Sequence, residues 1–132
     1  ENKNYFLERY EIYSKHLINL EEELAEKFEQ LKSRTLMVFH PAWTYFAEEF
    51  NLEEISIEHD GKSPKAKQLK DLIDLAENKN VKAIFVDSRS DVSNAKTIAD
   101  QLNINVSRIN PLPSNYLDNM RMVGEEIMRY NN

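Results

Sequence analysis

Cysteine is missing from all 132 residues of the chain. Disulfides, thiolate metal sites and cysteine nucleophiles are therefore excluded, although this absence does not fix the compartment. Glycine occurs only twice, at Gly61 and Gly124. With no glycine-rich loop, the phosphate cradles of Rossmann and P-loop proteins are absent. No serine stands in a nucleophile-elbow pattern. No run approaches the roughly 20 apolar residues that cross a bilayer. Clustered positive charge is missing as well. The 17 Lys and Arg are scattered and the net charge is −6, so nucleic acid is not an expected partner. There is no internal repeat and no low-complexity tract. The chain opens on Glu1 without a signal peptide. It is therefore expected to be a processed or excised piece, with an exported origin left open.

What is present is a globular composition, 41% hydrophobic and 30% charged, long enough for one ordinary domain. Residues 3–33 predict one long helix. Phe6, Tyr10, Tyr13, Leu17, Leu20, Leu24, Phe28 and Leu31 follow one another at steps of three and four, which holds a single apolar stripe on one face. About 30 residues at 1.5 Å each reach roughly 45 Å, more than a domain of this size is wide. The first half of that helix is expected to lack a partner within the chain.

Beyond it the periodicity changes. Residues 36–39, 54–58, 81–86 and 105–109 read as strands. Residues 41–50, 64–77, 91–102 and 115–130 read as helices, the second begun by Ser63 and Pro64 as N-cap and first helical residue. Strands alternating with helices imply right-handed crossovers and a mainly parallel sheet. The expected fold is therefore α/β: a four-stranded sheet with helices on both faces, preceded by a long N-terminal helix. The expected boundary falls between residues 1–34 and 35–132.

In an open parallel sheet, ligands bind beyond the carboxyl ends of the strands. The first predicted strand ends at His40, the second at His59 and Asp60, the third at Asp87 and the fourth at Asn110. Imidazole and carboxylate are donors of the type zinc uses. His40 is the main candidate, and Asp87 and Asn110 are the weaker ones. Each also has an ordinary reading. A lone strand-end histidine is more often a loop or cap residue. Asp87 before Ser88 and Ser90 suits a turn. His59-Asp60-Gly61 reads as an exposed turn, and His16 as a solvated helix residue. Trp43, Tyr45 and Phe46 read as core packing. The adjacent acids Glu48-Glu49 and Glu53-Glu54 read as solvated charge.

Several segments in order carry a family resemblance. HPAWTYFAEEFNL is followed by ISIE, by GKSPKAKQLKDLIDLAENKNVKAIFVD, by AKTIADQLN and by INPL. Over about residues 35–125 this resembles the C-terminal lobe of the substrate-binding proteins of zinc and manganese ABC importers, the cluster A-I, zinc-uptake type. The preceding helix resembles the rigid helix that joins the two lobes in that family. The resemblance implies a non-enzymatic, extracytoplasmic (periplasmic or membrane-associated) receptor. It would hold Zn2+, or Mn2+, in a cleft and deliver it to an ABC permease. It also implies a missing N-terminal lobe that supplies two histidines, with the third ligand at His40. A histidine there is the zinc-like choice, since carboxylate suits manganese. Members of the wider family include adhesion-type lipoproteins.

The sequence departs from the family pattern at Asn110-Pro111-Leu112, where many relatives have Asp-Pro-Leu. An amide is a poor zinc donor, so the fourth position would fall to water, or to Asp87. The histidine-rich loop of zinc receptors is absent. The chain alone is expected to hold zinc weakly, because transport-grade sites need three or four convergent ligands. It is also expected to form a homodimer through residues 5–31, where the helix stripe would otherwise be bare. The alternative is an autonomous flavodoxin-like regulatory or enzymatic domain with an acidic pocket at Asp87.

Overall fold

The computed structural model describes residues 2–59, 61–88 and 92–132. Nine elements follow one another: α1 (Lys3–Phe28), β1 (Thr35–Val38), α2 (Thr44–Glu49), β2 (Glu53–Ser56), α3 (Ala66–Asn78), β3 (Ala83–Asp87), α4 (Ser93–Leu102), β4 (Asn105–Ile109) and α5 (Tyr116–Asn131). The strands form one four-stranded sheet in the order β2-β1-β3-β4. All three pairings are parallel. The fold is the α/β arrangement that the alternating pattern predicts. The expected turn residue Asp60 and the expected helix start Asp91 lie outside the described residues.

Alternation along β1 sorts the core into two layers. Leu36 and Val38 point to one face, where they meet Leu20, Leu24 and Phe28 of α1, Trp43 and Ala47 around α2, and Met120, Val123 and Ile127 of α5. Met37 points to the other face, against Ala76 of α3 and Ala95, Ile98 and Ala99 of α4. Every residue of β1 is buried, as a central strand covered on both faces requires. Around Phe28 the packing is aromatic. Phe46 and Phe50 meet it edge-on at ring separations of 6.1 and 5.3 Å, a favoured geometry for ring quadrupoles.

The long helix splits into two halves. Its C-terminal half is buried through Leu20, Leu24 and Phe28. Tyr5, Phe6, Tyr10 and Tyr13 in the N-terminal half are exposed, Phe6 at 65%. The helix ends at Phe28, five residues before the expected end. The reason lies in the chain that follows. The Arg34 guanidinium donates to the Phe28 and Phe50 carbonyls at 3.0 and 3.1 Å. The Lys32 and Ser33 amides donate to the Asn131 carbonyl at 3.0 and 2.9 Å. These bonds draw the chain across the end of α5 and into β1. Leu31 still packs on the core, from a turn.

α1 is clamped to α5 at one close approach. A Cβ built on Gly124 would stand 2.5 Å from Leu24 Cδ2, so the helices meet where no side chain intervenes. Nearby, Arg121 of α5 donates to Glu23 of α1 at 2.9 Å, and Lys27 donates to the same carboxylate at 3.1 Å. The two cations hold the Glu23 carboxyl below its ordinary value, Arg121 being the larger cause.

Three helix-to-strand turns share one device. Asn51, Asn80 and Asn103 adopt positive φ after α2, α3 and α4. The next residue's amide returns to the helix in each case: Leu52 to Ala47, Val81 to Ala76, and Ile104 to Ala99, at 2.7–3.0 Å. This is a left-handed cap that usually takes glycine and accepts asparagine at modest cost. A chain with two glycines uses Asn instead. The start of α3 differs from expectation. Lys65 is the N-cap residue, in an extended conformation, and Gln68 Oε1 accepts its amide at 3.0 Å. Ser63 and Pro64 therefore lie before the helix.

Candidate metal site at the sheet's carboxyl edge

Chain order reverses between β1 and β3, since β2 lies on one side of β1 and β3 on the other. Open α/β sheets bind ligands beyond the strand ends at such a reversal. His40 follows β1 and Asp87 ends β3, the two strands between which it occurs. Val38 pairs with Phe85 and the Phe39 amide donates to the Phe85 carbonyl at 2.9 Å. Counting on by two residues brings His40 level with Asp87. Asp87 in turn pairs with Ile109, the residue before Asn110. The three sequence-chosen residues thus come to one edge of the sheet, on three neighbouring strands.

Their environments differ. His40 is exposed, with 61% of its side chain accessible, and its Nδ1 lies 2.9 Å from Glu58 Oε2. Asp87 is half-buried at the last position of β3. Asn110 is held in a local turn. Its Oδ1 accepts the Leu112 amide at 3.0 Å, and its carbonyl accepts from Asn119 Nδ2 at 2.8 Å. Asn119 is itself buried. One lone pair of the Asn110 amide oxygen is therefore already committed.

Glu58 is the neighbour that the strand-end inventory missed. β2 ends at Ser56, before His59 and Asp60. Ladder-like bonds nevertheless continue, from the Ile57 amide to the Val38 carbonyl and from the Glu58 amide to the Phe39 carbonyl, both at 2.9 Å. They carry the register of Val38 with Ser56 two residues further and set Glu58 beside His40. The signal in the sequence was the alternation of EEISIE, which puts Glu54, Ser56 and Glu58 on the same side. Glu54 uses that side as well, accepting the Trp43 amide at 3.0 Å and the Thr44 hydroxyl at 2.6 Å. It caps α2 and is more than a solvated charge. Tyr45 also departs from expectation. At 89% exposure it is outside the core that Trp43 and Phe46 enter, because it lies off the helix face that Trp43, Phe46, Ala47 and Phe50 share.

Among the described residues, no group of three or more His, Asp or Glu converges as a metal shell. The donor set fits one imidazole ligand of a shared shell: a ring with Nδ1 engaged by a carboxylate and the rest accessible. It does not fit a closed zinc site.

The family described as ZnuA, zinc-uptake complex component A periplasmic, matches residues 1–129. The chain belongs to that family. Solved ZnuA-like structures agree. A ZnuA crystal structure superposes with a TM-score of 0.94 at 30% identity, covering 99% of this chain and 50% of that one. A ZnuA lacking residues 138–173, with zinc bound, gives 0.93 at 30% identity over the same shares. The laminin-binding protein Lbp of Streptococcus pyogenes gives 0.88 at 28%, covering 99% of this chain and 54% of that one. The chain therefore spans about half the length of these relatives. A comparison with curated proteins finds no match.

Proposed function

We propose that this chain is the C-terminal lobe and joining helix of an extracytoplasmic zinc receptor that feeds an ABC importer. The division would be residues 1–34 as the joining helix and residues 35–132 as the lobe. His40 is its contribution to the zinc shell. The observation that carries this reading is the place of His40, at the switch point of the sheet, in a chain of the zinc-uptake family. The ZnuA deletion mutant with zinc bound supports zinc as the ion. An imidazole at this position favours zinc over manganese. Family membership supports a binding protein over the flavodoxin-like alternative built on Asp87.

The remaining ligands belong to a second lobe, which the bare stripe of α1 would help to seat. Asn110 is a poor fourth donor, because an amide carries no charge and its oxygen already accepts the Leu112 amide. Water fills that position, or Asp87 does. With one imidazole of its own, the chain in isolation binds zinc weakly, and a second copy covers its exposed helix.

In the complete protein, zinc at a thousandfold excess over Kd should stabilise the fold by roughly 4 kcal/mol. His40→Ala should remove most of that gain, read as the zinc-dependent rise in Tm. A zinc-dependent rise unchanged by His40→Ala would defeat the assignment.

A further inference from the structure

We propose that Glu58 is a positioning residue. It fixes the His40 ring in the tautomer that carries its proton on Nδ1 and so turns Nε2, the unprotonated nitrogen, toward the ligand. This rests on the reading of His40 as a zinc donor. The geometry comes from three features. Nδ1 lies 2.9 Å from Glu58 Oε2, a distance at which the ring nitrogen donates and the carboxylate accepts. Glu58 is anchored by its own backbone, since its amide donates to the Phe39 carbonyl at 2.9 Å. That carbonyl belongs to the residue immediately before His40, so donor and acceptor are mounted on the same two strands. The carboxylate is also less exposed than the ring it holds, 20% against 61%.

A carboxylate is an acceptor only, so its presence at Nδ1 requires the proton to be there. Nε2 is then the nitrogen with a lone pair. A ring that must be neutral and correctly turned before zinc arrives loses less freedom on binding when a neighbour has already fixed both. The carboxylate charge also pushes electron density into the ring and makes Nε2 the better donor. Asp87, level with His40 on the other side, is the last residue of β3 and is followed by Ser88, whose amide donates to the Ile109 carbonyl at 2.9 Å. Glu58 and Asp87 thus lie on the strands either side of β1, and Nδ1 is hydrogen-bonded to Glu58.

The tautomer is read without zinc by long-range proton–nitrogen correlation on the nitrogen-15-labelled chain, at a pH where the ring is neutral. The parent should show His40 with its proton on Nδ1. Glu58→Ala should move it to Nε2, and Glu58→Gln, which keeps an acceptor oxygen, should restore the Nδ1 form. In the complete protein, Glu58→Ala should weaken zinc binding by about 10–100-fold. It should add nothing in a His40→Ala background, as expected of a residue that acts through the ring. Retention of the Nδ1 form in Glu58→Ala, or a full additional loss in the double variant, overturns the proposal. Should His40→Ala itself leave zinc binding intact, the receptor assignment fails first. A loss with His40→Ala but none with Glu58→Ala defeats only the role of Glu58.

Discussion

The two halves of α1 carry the same stripe into opposite surroundings. Leu20, Leu24 and Phe28 are buried against α5, α2 and the sheet, whereas Phe6, Tyr10 and Tyr13 face solvent. The helical period is unbroken between them. Periodicity therefore reports which face of a helix is apolar, but not whether a partner is present. In the second half the partner is supplied by this chain, at the glycine contact with α5. In the first half the same stripe lies exposed.

The comparison is sharpest when one aromatic is cut from each half. Phe28→Ala empties a site with about 1% exposure and should cost about 3–5 kcal/mol. Phe6→Ala should change the stability of this chain by less than about 0.5 kcal/mol. Urea unfolding monitored by circular dichroism separates the two. Phe6→Ala should instead reduce self-association, read by light scattering at high protein concentration. Equal losses of stability would mean that the exposed half packs on something in the same chain.

A smaller effect tests the clamp. Gly124→Ala places a methyl group 2.5 Å from the buried Leu24 Cδ2. The leucine must change rotamer within a filled core, at about 1–3 kcal/mol. Leu24→Ala in the same chain should recover part of that penalty, because the methyl group then meets the space that leucine left. Additive losses in the double variant would show that the helices, and not the side chain, absorb the strain.

The smallest effect is electrostatic. Glu23 is partly exposed and its carboxyl is held below the ordinary value by Arg121 and then by Lys27. A depressed carboxyl contributes stability above its unfolded value and loses it as pH falls through the lower folded one. Arg121→Met should therefore destabilise the chain slightly at pH 7, and the difference in Tm should vanish well below pH 4. A difference that persists in acid would assign the loss to packing of the arginine stem.

Much of this structure was legible beforehand because strands and helices differ in local period. All four strands and the apolar stripe of α1 follow from that period, the parallel sheet from the alternation of strands with helices, and the exposed first half of α1 from a helix longer than a domain of this size is wide. The place of His40 was also visible, since Pro41 cannot extend the ladder. Three things were not visible. The end of α1 depends on Arg34 and Asn131, bonds between residues far apart in sequence. The exposure of Tyr45 depends on which face of α2 the core covers. The alternation of EEISIE gives the side on which Glu58 lies, but its pairing with His40 also needs the strand register across 18 positions. The asparagine caps could have been foreseen, because each Asn stands between a helical run and an apolar residue that opens a strand.

Those caps have a consequence for how the two rims of the sheet can change. The amino-terminal rim is assembled from one repeated part, the Asn hinge, used three times. The carboxyl rim, where His40, Glu58 and Asp87 stand, shows no such repeated part among the described residues. Four or five residues of strand, roughly 15 Å, separate the two. A substitution at a hinge reaches the opposite rim only along the length of a strand. Changes to the scaffold and changes to the side chains at the carboxyl rim can therefore accumulate independently, each at its own end of the same four strands.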